Sequence, residues 1–330
     1  MQTRKLGQSE LEVPVIAMGC WAIAGDAFWG DQDEKEAIEA MHAALDAGVN
    51  FFDTAEGYGA GESERLLGRG LKGRRDKCII ATKAGGGQHH SPEGLREACE
   101  QSLRNLQTDY IDLYQLHWPN HNIPFAETWA AMEDLIREGK VRVGGVSNFG
   151  PLDMEELLAA GHPDVNQLAY NLLFRAIEFE IAPQCEENEI GILCYSPMAQ
   201  GMLTGKFASA DDVPDGRART RHFSSERENV RHGEEGAEAE TFAAIAEIKS
   251  VADELDAPMH HVALAWLLKQ PAVACVLAGM RNPEQALDNA QAAELDLPDE
   301  AVERLSAVTD DLKARLGANA DMWQGDSRIR

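Results

Sequence analysis

The sequence has few basic residues and few aromatic ones. Of its 330 residues, 30 are Lys or Arg, 56 are Asp or Glu and only 6% are aromatic, so the formal charge is −26. Binding to a phosphate backbone is driven by Lys and Arg side chains that displace counterions. The acidic composition therefore argues against a nucleic-acid partner.

Paired cysteines and long apolar runs are also missing. No two of the six cysteines have C-x-x-C spacing, and four lie in or beside apolar runs, as buried thiols do, so we expect all six to be reduced. No uncharged stretch reaches the roughly 18 residues that suggest a membrane helix. The N-terminal segment lacks the apolar region of a signal peptide. These absences predict a soluble, cytoplasmic protein without a membrane partner.

The usual motifs for phosphate and metal binding are absent too. No G-x-G-x-x-G follows a predicted strand, and the stretch 201–206 has one residue too few between its glycines to be a P-loop, with Phe207 where Ser or Thr is needed. No set of His, Cys and carboxylate residues has metal-ligand spacing, so we expect no metal. His260 and His261, for example, are interpreted as solvent or packing residues.

What the sequence does contain is a regular alternation of short apolar runs and longer amphipathic ones. Such alternation is typical of β-strand–α-helix units around a parallel sheet. Eight units predict a closed (β/α)₈ TIM barrel, whereas open doubly wound sheets more often stop near six strands. The predicted strands are 15–18, 50–53, 78–82, 111–116, 141–146, 165–169, 191–195 and 272–277. The predicted helices are 33–47, 63–71, 91–106, 125–138, 151–161, 178–188, 237–255 and 283–292.

Four further segments lie outside these units. Residues 3–15 alternate polar and apolar positions, which predicts an N-terminal β-hairpin that plugs one end of the barrel. Residues 208–236 form a charged insertion after the seventh strand, either a lid or a disordered segment. An extra helix at 298–312 and an irregular tail at 313–330 complete the chain. Nothing divides residues 1–330, so we expect a single domain.

Polar side chains recur where the predicted strands end. Active sites of such barrels lie at the carboxyl ends of the strands, so these residues are expected to converge. They are Asp53, Tyr58, Lys83, His117, Ser147, Asn148, Gln167, Asn171, Tyr195 and Ser196. A barrel without a site would show ordinary turn residues there, so the pattern predicts a catalytic cavity.

Six segments in order resemble the aldo-keto reductase family, in particular its bacterial stress-protein and inositol-operon subgroup. The segments are FFDTAEGYG at 51–59, ATK at 81–83, DLYQLHWP at 112–119, GGVSNF at 144–149, YSPMAQG at 195–201 and GMRNPEQ at 279–285. The resemblance covers almost the whole chain. It implies NAD(P)H-dependent reduction of aldehydes or ketones, with Asp53, Tyr58, Lys83 and His117 as the catalytic tetrad.

The chemistry gives each member of this tetrad a role. Hydride attack on a carbonyl carbon builds negative charge on the oxygen, which must receive a proton or hydrogen bonds. Tyr58 can supply both, and we expect the cation of Lys83 to lower its pKa from the ordinary value of about 10. Asp53 would pair with Lys83, and a neutral His117 would donate to the substrate oxygen.

The resemblance also implies how the cofactor is bound. Gly279 to Pro283 fits a phosphate site at the start of a helix, and Arg281 suggests a 2′-phosphate and hence NADPH, with NADH as the alternative. Arg217, Arg219 and Arg221 of the insertion would add positive charge if it closes as a lid. The implied cofactor contacts are Trp21, Ser147, Asn148, Gln167, Tyr195, Ser196, Gln200, Leu203, Lys206, Gly279, Arg281, Gln285 and Asn289.

The partner expected from the sequence is a small carbonyl compound. Trp21, Trp29 and Trp118 are candidates for the walls of its pocket, although loop tryptophans are as often ordinary core residues. Two other functions stay open: a regulatory NADPH-binding protein that acts through a partner, and a polyol or sugar dehydrogenase. A monomer and a homo-oligomer are both compatible with the sequence.

Overall fold

The chain begins with an antiparallel hairpin that closes one end of a barrel. The structure, a computed structural model, describes residues 1–25 and 28–330. Strands β1 (Thr3–Lys5) and β2 (Glu12–Pro14) pair with each other. Leu6, Leu11 and Val13 are buried in one cluster with residues of the barrel interior. The hairpin therefore plugs the barrel, as the alternation of its residues predicts.

Eight parallel strands form the barrel, in which each strand pairs with the next along the chain and the last pairs with the first. Because both faces of each strand are covered, nearly all residues of the strands are buried. They are β3 (Ile16–Gly19), β4 (Phe51–Asp53), β5 (Ile79–Ala84), β6 (Ile111–Leu116), β7 (Val141–Ser147), β8 (Val165–Ala169), β9 (Gly191–Tyr195) and β10 (Val273–Gly279). The predicted fold class is confirmed, with strand ends within two residues of those expected.

Helices surround the barrel and begin at recognisable caps. Ser91 accepts a hydrogen bond from the backbone N–H of Gly94, and Asn282 accepts one from Gln285, each just before a proline in the first helical turn. The helices are α1 (Glu34–Asp46), α2 (Glu62–Gly70), α3 (Pro92–Leu106), α4 (Phe125–Arg137), α5 (Pro151–Leu158), α6 (Ile181–Glu187), α7 (Glu238–Glu254), α8 (Met259–Leu268), α9 (Pro283–Gln291), α10 (Asp299–Ala307) and α11 (Asp310–Leu316). Among the described residues, none of these helices is long and apolar enough to cross a membrane.

The helices differ from the prediction in two places. Helix α8 was not predicted, because nearly all its side chains are buried and the sequence shows no polar face. The single helix predicted at 298–312 is two short ones, α10 and α11, so the first residues of the tail predicted from 313 are helical.

Residues 208–236 pack against the rest of the chain largely through polar side chains. His222 is fully buried, its Nε2 lies 2.9 Å from the carbonyl oxygen of Leu173, and Phe223 is buried beside it. Arg221 donates to the carbonyl oxygens of Leu316 and Asn319. These buried hydrogen bonds hold residues 208–236 against the rest of the chain. The sequence gives little indication of this packing, because the segment has few apolar residues.

Candidate functional site

A cavity of about 820 Å³ opens at the carboxyl ends of the barrel strands. Most of the residues predicted for the site line it: Trp21, Trp29, Asp53, Tyr58, His117, Trp118, Ser147, Asn148, Gln167, Tyr195, Ser196, Gln200, Lys206, Gly279, Arg281, Gln285 and Asn289. Three predicted residues do not. Lys83 is fully buried against Asp53, Leu203 is buried in the core, and Asn171 is buried with its amide donating to the carbonyl oxygen of Ser196.

Lys83 and Asp53 form a buried ion pair across neighbouring strands. Asp53 ends β4 and Lys83 lies near the end of β5, so the parallel pairing of these strands brings the two side chains together. The Lys83 Nζ donates to Asp53 Oδ1 at 2.6 Å and to the carbonyl oxygen of Thr54 at 2.8 Å. Burial alone lowers the pKa of Lys83, but the charge of Asp53 and the hydrogen bond to it outweigh burial and raise that pKa. Lys83 is therefore a cation at neutral pH.

Tyr58 lies in the loop after β4, and Lys83 Nζ is 5.2 Å from the centroid of its ring. Its ring stacks on Trp21 with 5.8 Å between ring centroids. Burial raises the pKa of Tyr58, and the charge of Lys83 acts against this without reversing it. The expectation that Lys83 brings this pKa below its ordinary value is thus wrong for the cofactor-free protein, because burial is the larger effect. Tyr58 holds its proton at neutral pH.

His117 follows β6 directly and lies against Tyr58. The two ring centroids are 5.7 Å apart and the planes meet at 79°. Burial, with the charge of Lys83 as a second cause, lowers the pKa of His117 to about 3. The imidazole is therefore neutral at neutral pH, as the predicted hydrogen-bonding role requires.

Two buried amides complete the surroundings of Asp53. Gln167 donates from Nε2 to Asp53 Oδ2 at 2.8 Å, and Gln115 donates to the same oxygen at 3.4 Å. Gln167 Nε2 also lies 3.3 Å from Gln115 Oε1. The sequence does not single out Gln115, because Gln115 lies within β6 and not after its end, where site residues are expected. Its signal is a polar residue within an otherwise apolar strand.

The residues predicted to contact the nicotinamide form one hydrogen-bonded group. Tyr195 donates to Asn148 Oδ1 at 2.9 Å, and Asn148 donates to the carbonyl oxygen of His117 at 3.1 Å. Ser147 donates to the carbonyl oxygen of Gln167 at 2.9 Å. Asn148 has a φ of +63°, which turns the chain just after β7. These bonds fix three polar side chains, those of Ser147, Asn148 and Tyr195, in the cavity wall.

The opposite end carries positive charge. Lys206 and Arg217 both line the cavity, and neither has an ion pair with an acid among residues 1–25 and 28–330. Burial, and then repulsion from neighbouring cations including Arg281, lowers the pKa of each. Within the described part of the chain, the buried Nε of Arg217 and Nε2 of Gln200 have no hydrogen-bond partner. Cations and orphaned donors together suit an anionic ligand.

The backbone beside these cations is unusually shaped. Ser196, Ala199 and Gln200 have φ values of +51°, +45° and +56° in the turn after β9. Such left-handed residues are costly for side chains other than glycine and cluster at functional sites. Successive turns of this kind can also direct N–H groups toward one anion.

Arg281 connects the end of β10 to the loop before α1. Its Nη1 donates to the carbonyl oxygen of Trp29 at 2.8 Å, its Nη2 to that of Asp31 at 2.5 Å, and its Nε to Gln32 Oε1 at 2.7 Å. Gln285 accepts from the Arg281 backbone N–H. Arg281 therefore spans one side of the cavity and fixes the backbone of the neighbouring loop.

The third part of the wall is aromatic. Trp21, Trp29 and Trp118 all line the cavity, and Trp323 from the tail lies 6.3 Å from Trp21 between ring centroids. The guanidinium of Arg328 lies over the Trp118 ring at 3.5 Å. The sequence does not indicate Trp323 and Arg328, because the tail reaches the cavity only through tertiary packing.

The three arginines named from the insertion have different positions. Arg217 and Arg219 line the cavity, and the Arg219 guanidinium lies 3.9 Å from the Phe28 ring centroid. Arg221 does not line it. It pairs instead with Glu234 at 2.8 Å and donates to carbonyl oxygens of the C-terminal segment.

Sequence comparison places this chain among known proteins. The model of the aldo/keto reductase family matches residues 15–310. Aldo-keto reductase YhdN of Bacillus subtilis is 34% identical over 299 residues, 86% of each protein. The NADH-specific methylglyoxal reductase of Escherichia coli is 34% identical over 321 residues, which cover 91% of this chain and 95% of that protein. The chain belongs to the aldo/keto reductase family of oxidoreductases.

Solved structures agree with this assignment. An aldo-keto reductase from Klebsiella pneumoniae in complex with NADPH has a TM-score of 0.75 and 29% identity, over 93% of this chain and 95% of that one. The glycerol dehydrogenase from Gluconobacter oxydans has a TM-score of 0.79 and 31% identity, over 96% of each chain.

Proposed function

We propose that the protein reduces a small aldehyde or ketone to an alcohol with NADPH. The observation that supports this most directly is the arrangement of three groups: a protonated Tyr58 and a neutral His117 in contact in the cavity wall, and a charged Lys83 buried beside Tyr58. Together they can hold a carbonyl oxygen and give it a proton.

Each group then has a defined part in the reaction. NADPH, when bound, supplies the hydride. Tyr58 donates its proton to the developing alkoxide, and the adjacent Lys83 stabilises the phenolate that remains. Asp53 keeps Lys83 charged and in place through the 2.6 Å bond. His117 donates a hydrogen bond to the same substrate oxygen and so orients the carbonyl.

The other end of the cavity fits the phosphates of the cofactor. Among residues 1–25 and 28–330, Lys206 and Arg217 have no acidic partner, and the buried Nε of Arg217 and Nε2 of Gln200 have no hydrogen-bond partner. The number of cations favours NADPH over NADH. NADH stays possible, because the Escherichia coli relative is named as NADH-specific. Ser147, Asn148, Gln167 and Tyr195 would then contact the nicotinamide.

The substrate pocket has aromatic walls from Trp21, Trp29 and Trp118. Such walls suit compact substrates with a flat or apolar portion. The relation to a methylglyoxal reductase supports a short carbonyl compound. A plate assay of NADPH oxidation with short aldehydes, methylglyoxal, pyridoxal and sugars tests this, and turnover confined to large substrates would contradict it.

Residues 208–236 act as a lid over the phosphates within a single domain formed by the whole chain. Arg217 supports this part of the proposal, because it belongs to that segment and lines the cavity. Saturating NADPH should slow proteolytic cleavage within 208–236. Equal cleavage rates with and without NADPH would disprove the lid.

The replacement Tyr58→Phe tests the mechanism. It removes one hydroxyl, so kcat for carbonyl reduction should fall about 10²–10⁴-fold while NADPH affinity stays unchanged. Tyr114→Phe is the matched control, because Tyr114 is fully buried, its hydroxyl has no partner in the described part of the chain and it does not line the cavity. Retained turnover in Tyr58→Phe would overturn the mechanism.

The same assays separate the two other functions. Glycerol dehydrogenase similarity supports a polyol dehydrogenase, which would oxidise alcohols with NADP⁺ faster than it reduces any carbonyl tested. A regulatory protein would bind NADPH without oxidising it across the panel. The protonated state of Tyr58 at neutral pH favours the reductive direction, because oxidation needs a base at this position.

A further inference from the structure

Two histidines and an aspartate meet beside the cavity, away from the tetrad. His260 and His261 are neighbours at the start of α8, and Asp288 lies on α9. The Nε2 of His260 is 2.7 Å from Asp288 Oδ2, and the Nε2 of His261 is 2.9 Å from Asp288 Oδ1. One ligand atom from each residue lies within 4.8 Å of the other two. The sequence does not show this group, since its members are far apart along the chain and lack a spacing motif.

We propose that His260, His261 and Asp288 bind a divalent transition-metal ion of the Zn²⁺ type. Imidazole nitrogens and a carboxylate oxygen are ligands that Zn²⁺ accepts at about 2.0–2.2 Å. Imidazole also suits Co²⁺ and Ni²⁺, whereas Mg²⁺ and Ca²⁺ prefer all-oxygen sites. The metal would replace the two imidazole–carboxylate hydrogen bonds, after a small separation of the three side chains.

The surroundings of Asp288 distinguish it from an ordinary ion-paired carboxylate. Its described side-chain contacts are the two imidazoles, and among the residues that the structure describes it has no Lys or Arg partner. His121 and Asp153 provide the contrast. There a single imidazole shares its carboxylate with Arg330, whose guanidinium donates to Oδ1 and whose backbone N–H donates to Oδ2, so both oxygens that a cation would need are occupied.

The site is both held in place and accessible. His261 is only 8% exposed, and the two imidazole rings contact each other with 4.5 Å between centroids. Asp288 is partly exposed, and Asp288 and His260 both line the cavity. An ion can therefore enter from the cavity. Three protein ligands leave a fourth position for water, as in zinc sites with an open coordination position.

The experiment uses the full-length, cofactor-free protein after treatment with a chelator. Titration with ZnCl₂ in a calorimeter should show one saturable site per chain, and CoCl₂ should give a visible absorption band from nitrogen and oxygen ligands. His261→Gln and Asp288→Asn should each weaken binding at least about tenfold. Zn²⁺ should also raise the melting temperature of the wild type and not that of the variants.

His121→Gln is the matched control and should bind Zn²⁺ as the wild type does. Melting of each metal-free variant checks that it is folded. If His261→Gln does not fold, His260→Gln replaces it, because the His260 side chain is more exposed, at 17%. Absence of saturable binding in the wild type would overturn the proposal. Equal weakening by His121→Gln and the folded site variants would also overturn it.

Discussion

The two ends of the cavity differ in whether their buried cations have acidic partners. At the tetrad end, Lys83 is paired with Asp53, whose second oxygen accepts from Gln167 and Gln115. At the other end, Lys206 and Arg217 have no acidic partner in the described part of the chain, and repulsion adds to burial in lowering their pKa values. The first end is complete without a ligand, whereas the second gains a partner only when an anion binds.

This difference predicts opposite effects on stability. Removing one member of a buried ion pair leaves an uncompensated charge, which costs about 3–5 kcal/mol of unfolding free energy. Removing one of several mutually repelling cations does not leave any other charge unpaired, so it should not destabilise the fold. A cation at the tetrad end should therefore matter for folding and catalysis, and one at the phosphate end for ligand affinity alone.

The largest effect is expected for Lys83→Met. Asp53 is left buried without its cation, so unfolding free energy should fall by about 3–5 kcal/mol in urea denaturation. Carbonyl reduction by the folded fraction should fall about 10²–10⁴-fold, because the phenolate of Tyr58 loses its neighbouring charge. Asp53→Asn combined with Lys83→Met should recover stability without activity. If Lys83→Met were as stable as the wild type, the buried Asp53 would not depend on Lys83 for its charge balance.

Arg217→Met should have a smaller and different effect. Loss of a charged hydrogen-bond donor is worth about 1.5–3 kcal/mol, so the NADPH dissociation constant should rise roughly 10- to 100-fold. Unfolding free energy without cofactor should stay the same or increase. Fluorescence titration and urea denaturation measure the two quantities. Lys249→Met, which removes an exposed lysine paired with Asp253, is the control. Stability loss like that of Lys83→Met would contradict the comparison.

The pH dependence of reduction tests the protonation states of His117 and Tyr58. The pKa of His117 is lowered to about 3. Its imidazole therefore stays neutral when the pH falls below about 6.5, the ordinary pKa of histidine. Because the pKa of Tyr58 is raised, its proton is kept up to at least the ordinary phenol range. The profile of kcat/KM from single-turnover or steady-state rates should be flat between these limits. A loss of activity near the ordinary histidine pKa that disappears in His117→Gln would contradict this.

The smallest effect is expected for Gln115→Leu. Asp53 keeps Lys83 and Gln167 as donors and loses only the 3.4 Å contact, so kcat should fall a few-fold, corresponding to about 0.5–1.5 kcal/mol. The NADPH dissociation constant should not change. Gln184→Leu, outside the cavity and bonded to Pro151, is the control. A kcat equal to that of the control would show that Gln115 does not help to position Asp53.

The sequence predicts the barrel, and it predicts that polar residues lie together at the ends of neighbouring strands, because both depend on local order. Apolar runs define the strands, and the carboxyl ends of neighbouring parallel strands must lie side by side. That rule places Asp53, Lys83 and His117 near one another, and their assignment to one tetrad comes from the resemblance to aldo-keto reductases. Their contacts are then a consequence of the strand pairing.

The parts that the sequence misses depend on packing between distant segments. Helix α8 is apolar on all sides and so lacks the periodicity of a surface helix. Trp323 and Arg328 belong to an irregular tail, and no strand end indicates their place in the wall. The sign of the Tyr58 pKa shift also escapes sequence reasoning, because it depends on how deeply the phenol is buried.

Arg221 links two segments that are separate in sequence. Its guanidinium donates to the carbonyl oxygens of Leu316 and Asn319, and its backbone N–H donates to that of Met322. The segment that contains Arg217 is thereby fastened to the tail that carries Trp323. Any displacement of 208–236 that keeps these bonds also moves one wall of the substrate pocket. If 208–236 is the lid that we propose, its opening for cofactor exchange should therefore change the shape of the proposed substrate pocket as well.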